Sequence, residues 1–310
     1  MRILYATDGS EHALAGARFL AALPLEASST VHVVSVEDGT GEEATRASEA
    51  ALHVADAALH SSAARKEAVM RRGNPAEQIL AEAEAWPADL VVVGSRGRSA
   101  IARFFVGSVA ERVVAHAPCS VLLARPLLRG SAAVEQVVLG TDGSQTAAQA
   151  ADWLRERFPL PGMCPVHLVS VVVPMNAASA SRMTLVSGMA DLFVTLGQQE
   201  QDAAREHLDA LVGAFQTAGR PVTTEVRADD PAGGLLAVAE ERGADLLVVG
   251  SRGYNGLDRF LLGSVSEKAL RHAACSVLVV RPNGGNTKRE QEKDNDEEKQ
   301  IVLAGPPAAI

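Results

Sequence analysis

Two sixteen-residue stretches of this chain carry the residue types and spacing of an anion cradle. Residues 94–109 read GSRGRSAIARFFVGSV, and residues 250–265 read GSRGYNGLDRFLLGSV. Each follows a short apolar run, DLVVV from Asp89 and DLLVV from Asp245, and each ends by entering a segment with helical periodicity. Each holds Gly-x-x-Gly, nine residues, then Gly-Ser: Gly94, Gly97, Gly107 and Ser108 in the first, Gly250, Gly253, Gly263 and Ser264 in the second. Glycines allow a backbone to approach an anion closely, and the free amides and dipole of a helix N-terminus favour negative charge. Ser108 and Ser264 either give a hydroxyl to such an anion or N-cap their helices, and a cap hydroxyl stands where an anion would sit. Arg96/Arg252 and Arg103/Arg259 are matched cations in the loops; one pair reaches phosphate, or the arginines cover a solvated loop face.

The elements that must position these loops are duplicated as well. ILYATDGSEHALAGARFL from Ile3 matches VVLGTDGSQTAAQAADWL from Val137, and VHVVSV from Val31 matches VHLVSV from Val166. HAPCSVLLARP from His116 matches HAACSVLVVRP from His272. A repeat this long is a duplicated domain rather than a solenoid module. The domains are expected at residues 1–126 and 136–282, with a linker at 127–135 and a tail at 283–310. Gly250 follows Gly94 by 156 positions and Asp142 follows Asp8 by 134, so the second unit carries 22 further residues, placed around 174–198. The tail, dense in mixed charge, reads as a solvated extension, with a docking peptide in its last ten residues as the alternative.

Within each unit, runs of Val, Leu and Ile alternate with longer helical stretches, the pattern of a parallel sheet buried on both faces. Strands are expected at Arg2–Ala6, Thr30–Val36, Glu67–Arg71, Asp89–Val93 and Ser120–Ala124, and helices at Ser10–Leu23, Glu42–Ala64, Pro75–Ala85 and Ser108–His116. Strands of the second unit fall at Gln136–Gly140, Val166–Val173, Thr223–Arg227, Asp245–Val249 and Ser276–Arg281. Ligands of open α/β sheets bind beyond the strand carboxyl ends where strand order reverses. If strands one and four are neighbours, Thr-Asp-Gly-Ser after the first strand and the Gly-rich loop after the fourth meet at that crevice. Thr-Asp-Gly-Ser is also good turn and cap chemistry without a ligand.

Composition narrows the partners. The 310 residues, 47% hydrophobic and 22% charged, suit soluble globular domains. A net charge of −9 argues against nucleic acid, and no apolar run approaches the length of a membrane span. MRILYATDGS enters a strand pattern with no signal-peptide architecture, so a cytoplasmic location is expected. Cys119, Cys164 and Cys275 form no pairs spaced for metal, and Cys119 and Cys275 read as small core residues. His32 and His167, inside apolar strands, read as satisfied core histidines; His116 and His272 complement helix C-termini.

On these residues the chain resembles a tandem universal stress protein of the ATP-binding type. The resemblance rests on the G-x2-G-x9-G-S loop in both units, on Asp8 and Asp142, and on the last strand of each, over about Met1–Pro282. It implies two Rossmann-like, adenine nucleotide alpha hydrolase-like α/β domains, each an open five-stranded parallel sheet of order 3-2-1-4-5 flanked by helices. In such proteins the nucleotide is lined by the Asp after strand one, a residue following a His in strand two, and the Gly-rich loop. Carried over, these are Asp8, Val33, Gly94, Gly97, Gly107, Ser108 and Val109, then Asp142, Leu168, Gly250, Gly253, Gly263, Ser264 and Val265. Leu168 in place of Val33 narrows the adenine pocket, and the differing nine-residue spacers make unequal affinities compatible with the pattern. The implied cofactors are ATP and Mg²⁺ held through its phosphates. The implied partners are an unidentified protein, a pseudo-dimer of the two units through their last strands, and a further homodimer of chains.

Dedicated catalysis is not expected. No Walker A lysine follows the glycines, the first loop is not of Ser-Gly-Gly type, and no catalytic set assembles at defined spacing. The expectation is a nucleotide-responsive regulator of stress adaptation, with a nucleotide-independent adaptor or a slow ATP-hydrolysing enzyme as alternatives.

Overall fold

β-Branched and leucine-rich runs that must bury both faces place the strands at the centre of the molecule. The structure, a computed structural model, describes residues 1–97, 106–127, 133–174, 190–251 and 262–281. The first unit runs β1 (Arg2–Ala6), α1 (Glu11–Ala21), β2 (Thr30–Glu37), α2 (Glu42–Ala58), β3 (Arg65–Arg72), α3 (Pro75–Ala85), β4 (Leu90–Gly94), α4 (Ser108–His116) and β5 (Ser120–Ala124). The second runs β6 (Val137–Gly140), α5 (Gln145–Glu156), β7 (Val166–Val172), α6 (Ala190–Thr217), β8 (Val222–Ala228), α7 (Pro231–Glu241), β9 (Leu246–Gly250), α8 (Ser264–His272) and β10 (Ser276–Val280). Of the unit-two insertion, residues 175–189 lie outside the described residues, as do Arg103, Arg252, Gly253, Arg259 and the tail.

Among the described residues, ten strands join one sheet in the order β3-β2-β1-β4-β5-β10-β9-β6-β7-β8. Each half therefore has the order 3-2-1-4-5, with every pair inside a half parallel. The halves meet where β5 and β10 pair antiparallel, Leu122 opposite Leu278. One face of the sheet packs Ile3, Tyr5, Val33 and Leu168 under α1, α2, α5 and α6. The other packs Leu4, Val34, Val91 and Leu247 under α3, α4, α7 and α8. Each fully buried Leu or Val side chain contributes about 2 kcal/mol of transfer free energy. The outer strand β3 (RKEAVMRR) carries charge on its exposed positions, and β8 (VTTEVRA) carries Glu225 and Arg227 half-buried, which discourages further edge pairing.

Local sequence sets the helix starts. Ser10 and Ser144 accept from Ala13 N and Ala147 N, both at 3.2 Å, and Asn74 and Asp230 cap α3 and α7 ahead of Pro75 and Pro231. Two expectations shift. α2 ends at Ala58 rather than Ala64, because buried Leu59 closes the last turn and Ser62 then bonds the Ala64 amide in a turn. β3 extends over Arg65–Arg72, since pairing with the whole of β2 overrides its polar composition.

Gly94 ends β4 where α1 passes over the sheet. A Cβ there would stand 2.5 Å from the His12 carbonyl oxygen and 2.7 Å from Ala13 N, both backbone atoms that cannot swing aside. Gly94→Ala is expected to destabilise the protein by about 2 kcal/mol in urea unfolding, whereas Gly162→Ala, with nothing within 4 Å, leaves the midpoint unchanged.

Candidate functional site

β1 lies between β2 and β4, so the chain leaves β1 outward to β2 and β3 and then returns to β4 on the other side. That reversal opens a crevice at the strand carboxyl ends. On its β1 side, Thr7 N donates to Val34 O at 2.9 Å, and the Thr-Asp-Gly-Ser turn follows. Gly9 N donates to Thr7 Oγ1 at 3.2 Å, and Ser10 N donates to Asp8 Oδ1 at 3.0 Å. Gly9 sits at φ 74°, a conformation that favours glycine. The second unit repeats the turn: Gly143 N to Thr141 Oγ1 at 3.3 Å, Ser144 N to Asp142 Oδ1 at 3.0 Å, and Gly143 at φ 77°.

The Gly-rich loop closes from the β4 side. Ser95 N donates to Ala124 O at 3.0 Å, and Ser95 O accepts from Gly107 N at 2.9 Å, so one residue holds both ends of the loop. Ser251 does the same between Val280 O and Gly263 N, at 2.9 Å each. Gly97 brings the loop to Asp8: a Cβ on Gly97 would lie 2.9 Å from Asp8 Oδ2, and one on Gly107 would lie 3.3 Å from Arg96 Cα. Asp8, Gly97 and Gly107 therefore stand together.

Of the two readings of Ser108 and Ser264, N-capping is not met. Gly107 and Gly263 are the caps, with no side-chain cap hydrogen bond, and the serines are the first helical residues, exposed. The opening amides of α4 and α8 thus have no side-chain acceptor from the cap position. Val109 and Val265, half-buried, follow the serines. Ser108 and Val109 also line a cavity of about 740 Å³ with Glu37, Arg72, Asn74 and Arg112, none of which the motif singled out. Arg72 Nε donates to Glu37 Oε2 at 2.7 Å, and this bond holds the Glu37 carboxyl below its ordinary range. The signal available in sequence was position alone: Glu37 ends the second strand and Arg72 the third, both facing the same edge.

The sequence model of the universal stress protein family matches residues 1–125 and 134–281. The chain belongs to the universal stress protein family. A universal stress protein of Thermus aquaticus is 41% identical over 133 residues, 40% of this chain and 97% of that relative. A universal stress protein of Mycobacterium bovis is 32% identical over 200 residues, 63% of this chain and 62% of that relative. The crystal structure of a universal stress protein from Archaeoglobus fulgidus superposes with a TM-score of 0.63 at 20% identity, covering 91% of this chain and 98% of that one, a likeness of fold.

Two residues carried over from the family pattern stand elsewhere. Val33 and Leu168 are 3% and 0% exposed and pack in the core beneath the helices, opposite Tyr5 and Leu139 in register, below the crevice. The β2 and β7 positions at the mouth are Val36 and Val171, half-buried and on the α3 and α7 face. Gly94 owes its identity to α1, as its contact with His12 shows, and Gly250 occupies the same strand-end place opposite Val280.

The buried histidines serve the sheet. His32 Nε2 lies 3.0 Å from Glu82 Oε1, and the ring stacks on Trp86 with centroids 4.9 Å apart. His167 Nδ1 meets Thr223 Oγ1 at 2.7 Å, and Nε2 meets Glu225 Oε2 at 3.2 Å. Cys119 and Cys275 are buried, their thiols pushed up to about 12 and about 11 by desolvation, which leaves them unreactive. Burial also lowers the His167 imidazole from its ordinary 6.5, against the raising effect of the Glu225 bond. The folded state then binds this proton less readily than the unfolded chain. Its contribution is complete above pH 6.5 and is lost as pH falls below that value. His167→Gln is expected to flatten the fall in urea midpoint between about pH 7 and about pH 5; an unchanged slope would remove His167 from the acid response.

Proposed function

We propose that this universal stress protein binds ATP at the Gly-rich loop of each unit and acts as a nucleotide-responsive regulator of stress adaptation. The observation that carries the reading is the pairing of an uncapped helix N-terminus with a closed glycine loop, built twice with the same hydrogen bonds. A polyphosphate supplies the acceptors that Gly107 and Gly263 withhold, and the α4 and α8 dipoles favour its charge. The residues fit the group. Gly97 and Gly107 let the loop backbone close on Asp8 and Arg96, and in the first unit the adjoining cavity of about 740 Å³ has the size of a small-molecule site.

In this reading Asp8 and Asp142 orient the ligand while their own turns hold them, and Ser108 and Ser264 add hydroxyl donors. Mg²⁺ enters on the phosphates, since no group of three His, Cys, Asp or Glu suited to a metal stands among the described residues. The protein's output is conformation or partner choice rather than turnover.

Purified protein, denatured and run on anion exchange, is expected to release ATP at close to two per chain, or to bind that amount from Mg²⁺–ATP. Gly107→Glu together with Gly263→Glu places a carboxylate at each cap and is expected to abolish binding with an unchanged circular dichroism spectrum. Retained binding in that variant refutes the site. No nucleotide in the wild-type chain, and none taken up, moves the function to the adaptor reading.

A further inference from the structure

The two halves exchange more than a strand pair at the junction. Arg281, directly after β10, reaches across to α4 of the first unit. Its Nη2 donates to Val114 O at 2.5 Å and Ala115 O at 2.8 Å, and its Nη1 donates to Ala117 O at 3.0 Å. Arg125, directly after β5, reaches the other way. Its Nη2 donates to Leu270 O at 2.6 Å, and its Nη1 donates to Cys275 O at 3.1 Å. Val114 and Leu270 are 156 positions apart, the offset that relates the two glycine loops. Arg281 thus holds two carbonyls of the last turn of α4 and one just beyond it, and Arg125 holds one of the last turn of α8 and one just beyond it, each at that helix's negative pole.

The opposite pole of the same helix is the start of the Gly-rich site. α4 runs nine residues from Ser108 to His116, and α8 runs nine from Ser264 to His272. A helix this short, gripped at its C-terminus, has its N-terminal amides placed by that grip. The backbone link returns as well. Arg281 follows Val280, whose carbonyl holds Ser251 N, and Ser251 O holds Gly263 N of the second loop. Arg125 follows Ala124, whose carbonyl holds Ser95 N, and Ser95 O holds Gly107 N of the first. Arg271 and Glu111, 2.9 Å apart, tie α8 to α4 directly.

Resting on nucleotide binding at the two loops, we infer that Arg281 and Arg125 are crossed positioning residues: Arg281 sets the site of the first unit, and Arg125 that of the second. Neither side chain touches the site it serves. Each unit then presents a formed helix N-terminus only when docked on the other, and occupancy of one loop bears on the strand end that carries the other unit's clamp.

The test uses the full chain with one site silenced at a time, and Mg²⁺–ATP as the probe in calorimetric titration. In Gly263→Glu, where the first unit alone binds, Arg281→Ala is expected to weaken binding about tenfold, and Arg125→Ala less than about twofold. In Gly107→Glu, where the second unit alone binds, the order reverses. A general loss of packing lowers the melting temperature of both variants without crossing the units, so equal effects in both backgrounds overturn the inference. Effects confined to the arginine's own unit overturn it equally. If Arg→Ala does not fold, Arg→Lys keeps the charge and loses the multiple carbonyl contacts, and the same crossed pattern at smaller size is expected. Absence of Mg²⁺–ATP binding in the wild-type chain defeats the nucleotide reading itself. Binding in the wild type with an uncrossed pattern defeats only the clamp.

Discussion

The hydrogen bonds of Ser95 and Ser251 fix the geometry on which both candidate sites depend. Each residue donates to the last strand of its own unit and accepts from the glycine that caps the following helix. The exit of the loop is thereby bound to its entry, and the helix start is held against the sheet whatever the side chains between them. Closing a loop of this length costs only a few kcal/mol of chain entropy. Ser95 and Ser251 are themselves buried, where an unmade backbone bond is expensive. The nine intervening residues are then free to differ, as RSAIARFFV and YNGLDRFLL do, while the cap and the amides after it stay in place.

The same economy governs the junction. Antiparallel pairing of β5 with β10 removes the inner edge of each five-stranded sheet, leaving β3 and β8 as the margins among the described residues. Three ladder positions make a short contact, and the flanking side chains complete it. Arg125 N donates to Ser276 Oγ, and Arg281 N donates to Ser120 Oγ, each serine fully buried in the strand opposite. Burial lowers the Arg125 guanidinium from its ordinary value, yet at such a height it stays charged. Its charge is met by the backbone carbonyls of Leu270 and Cys275, an arrangement that avoids a fully desolvated ion pair.

Much of this was legible because duplication makes every signal appear twice. Strand positions followed from runs of Val and Leu, and the helix expected at Pro75–Ala85 has those bounds in the structure. The carboxyl-edge location of the loops followed from parallel-sheet topology. What the sequence did not disclose are the features that depend on which backbone lies across from which. Gly94 looked like a phosphate glycine, but α1 crosses at 2.5 Å from where its side chain would be. Ser108 carried a cap reading as an alternative, but it is Gly107 that adopts the extended φ of −65° and ψ of 147° that the cap position needs. Val33 was carried over from a family pattern keyed to the preceding His. The strand continues to Glu37, so the position at the crevice lies three residues later, at Val36. Arg125 and Arg281 follow an unremarkable strand in sequence, and their targets lie 145 and 167 positions away.

Identity of skeleton does not make the two units identical in chemistry. Gly73 N donates to Glu37 O and Asp229 N to Val172 O, so Glu37 and Val172 occupy matching strand ends, as do Arg72 and Ala228 one residue before the bonded amides. The ion pair on the first cavity is thus replaced by two apolar residues, and the carboxylates move to Asp229 and Asp230 at the start of α7. Asp230 is kept ionised by the Gly233 amide, its carboxyl held low, and Lys268 stands at 3.4 Å. On the other side of the crevice, His207 of α6 meets Thr141 Oγ1 at 2.8 Å, while the residue 156 positions earlier is the buried Ala51. The second turn is therefore braced by a ring from the long helix in addition to its own hydrogen bonds. The backbone cradle is the same in both units and its surroundings differ, so the two halves share one way of presenting helix amides while differing in the side chains that flank it.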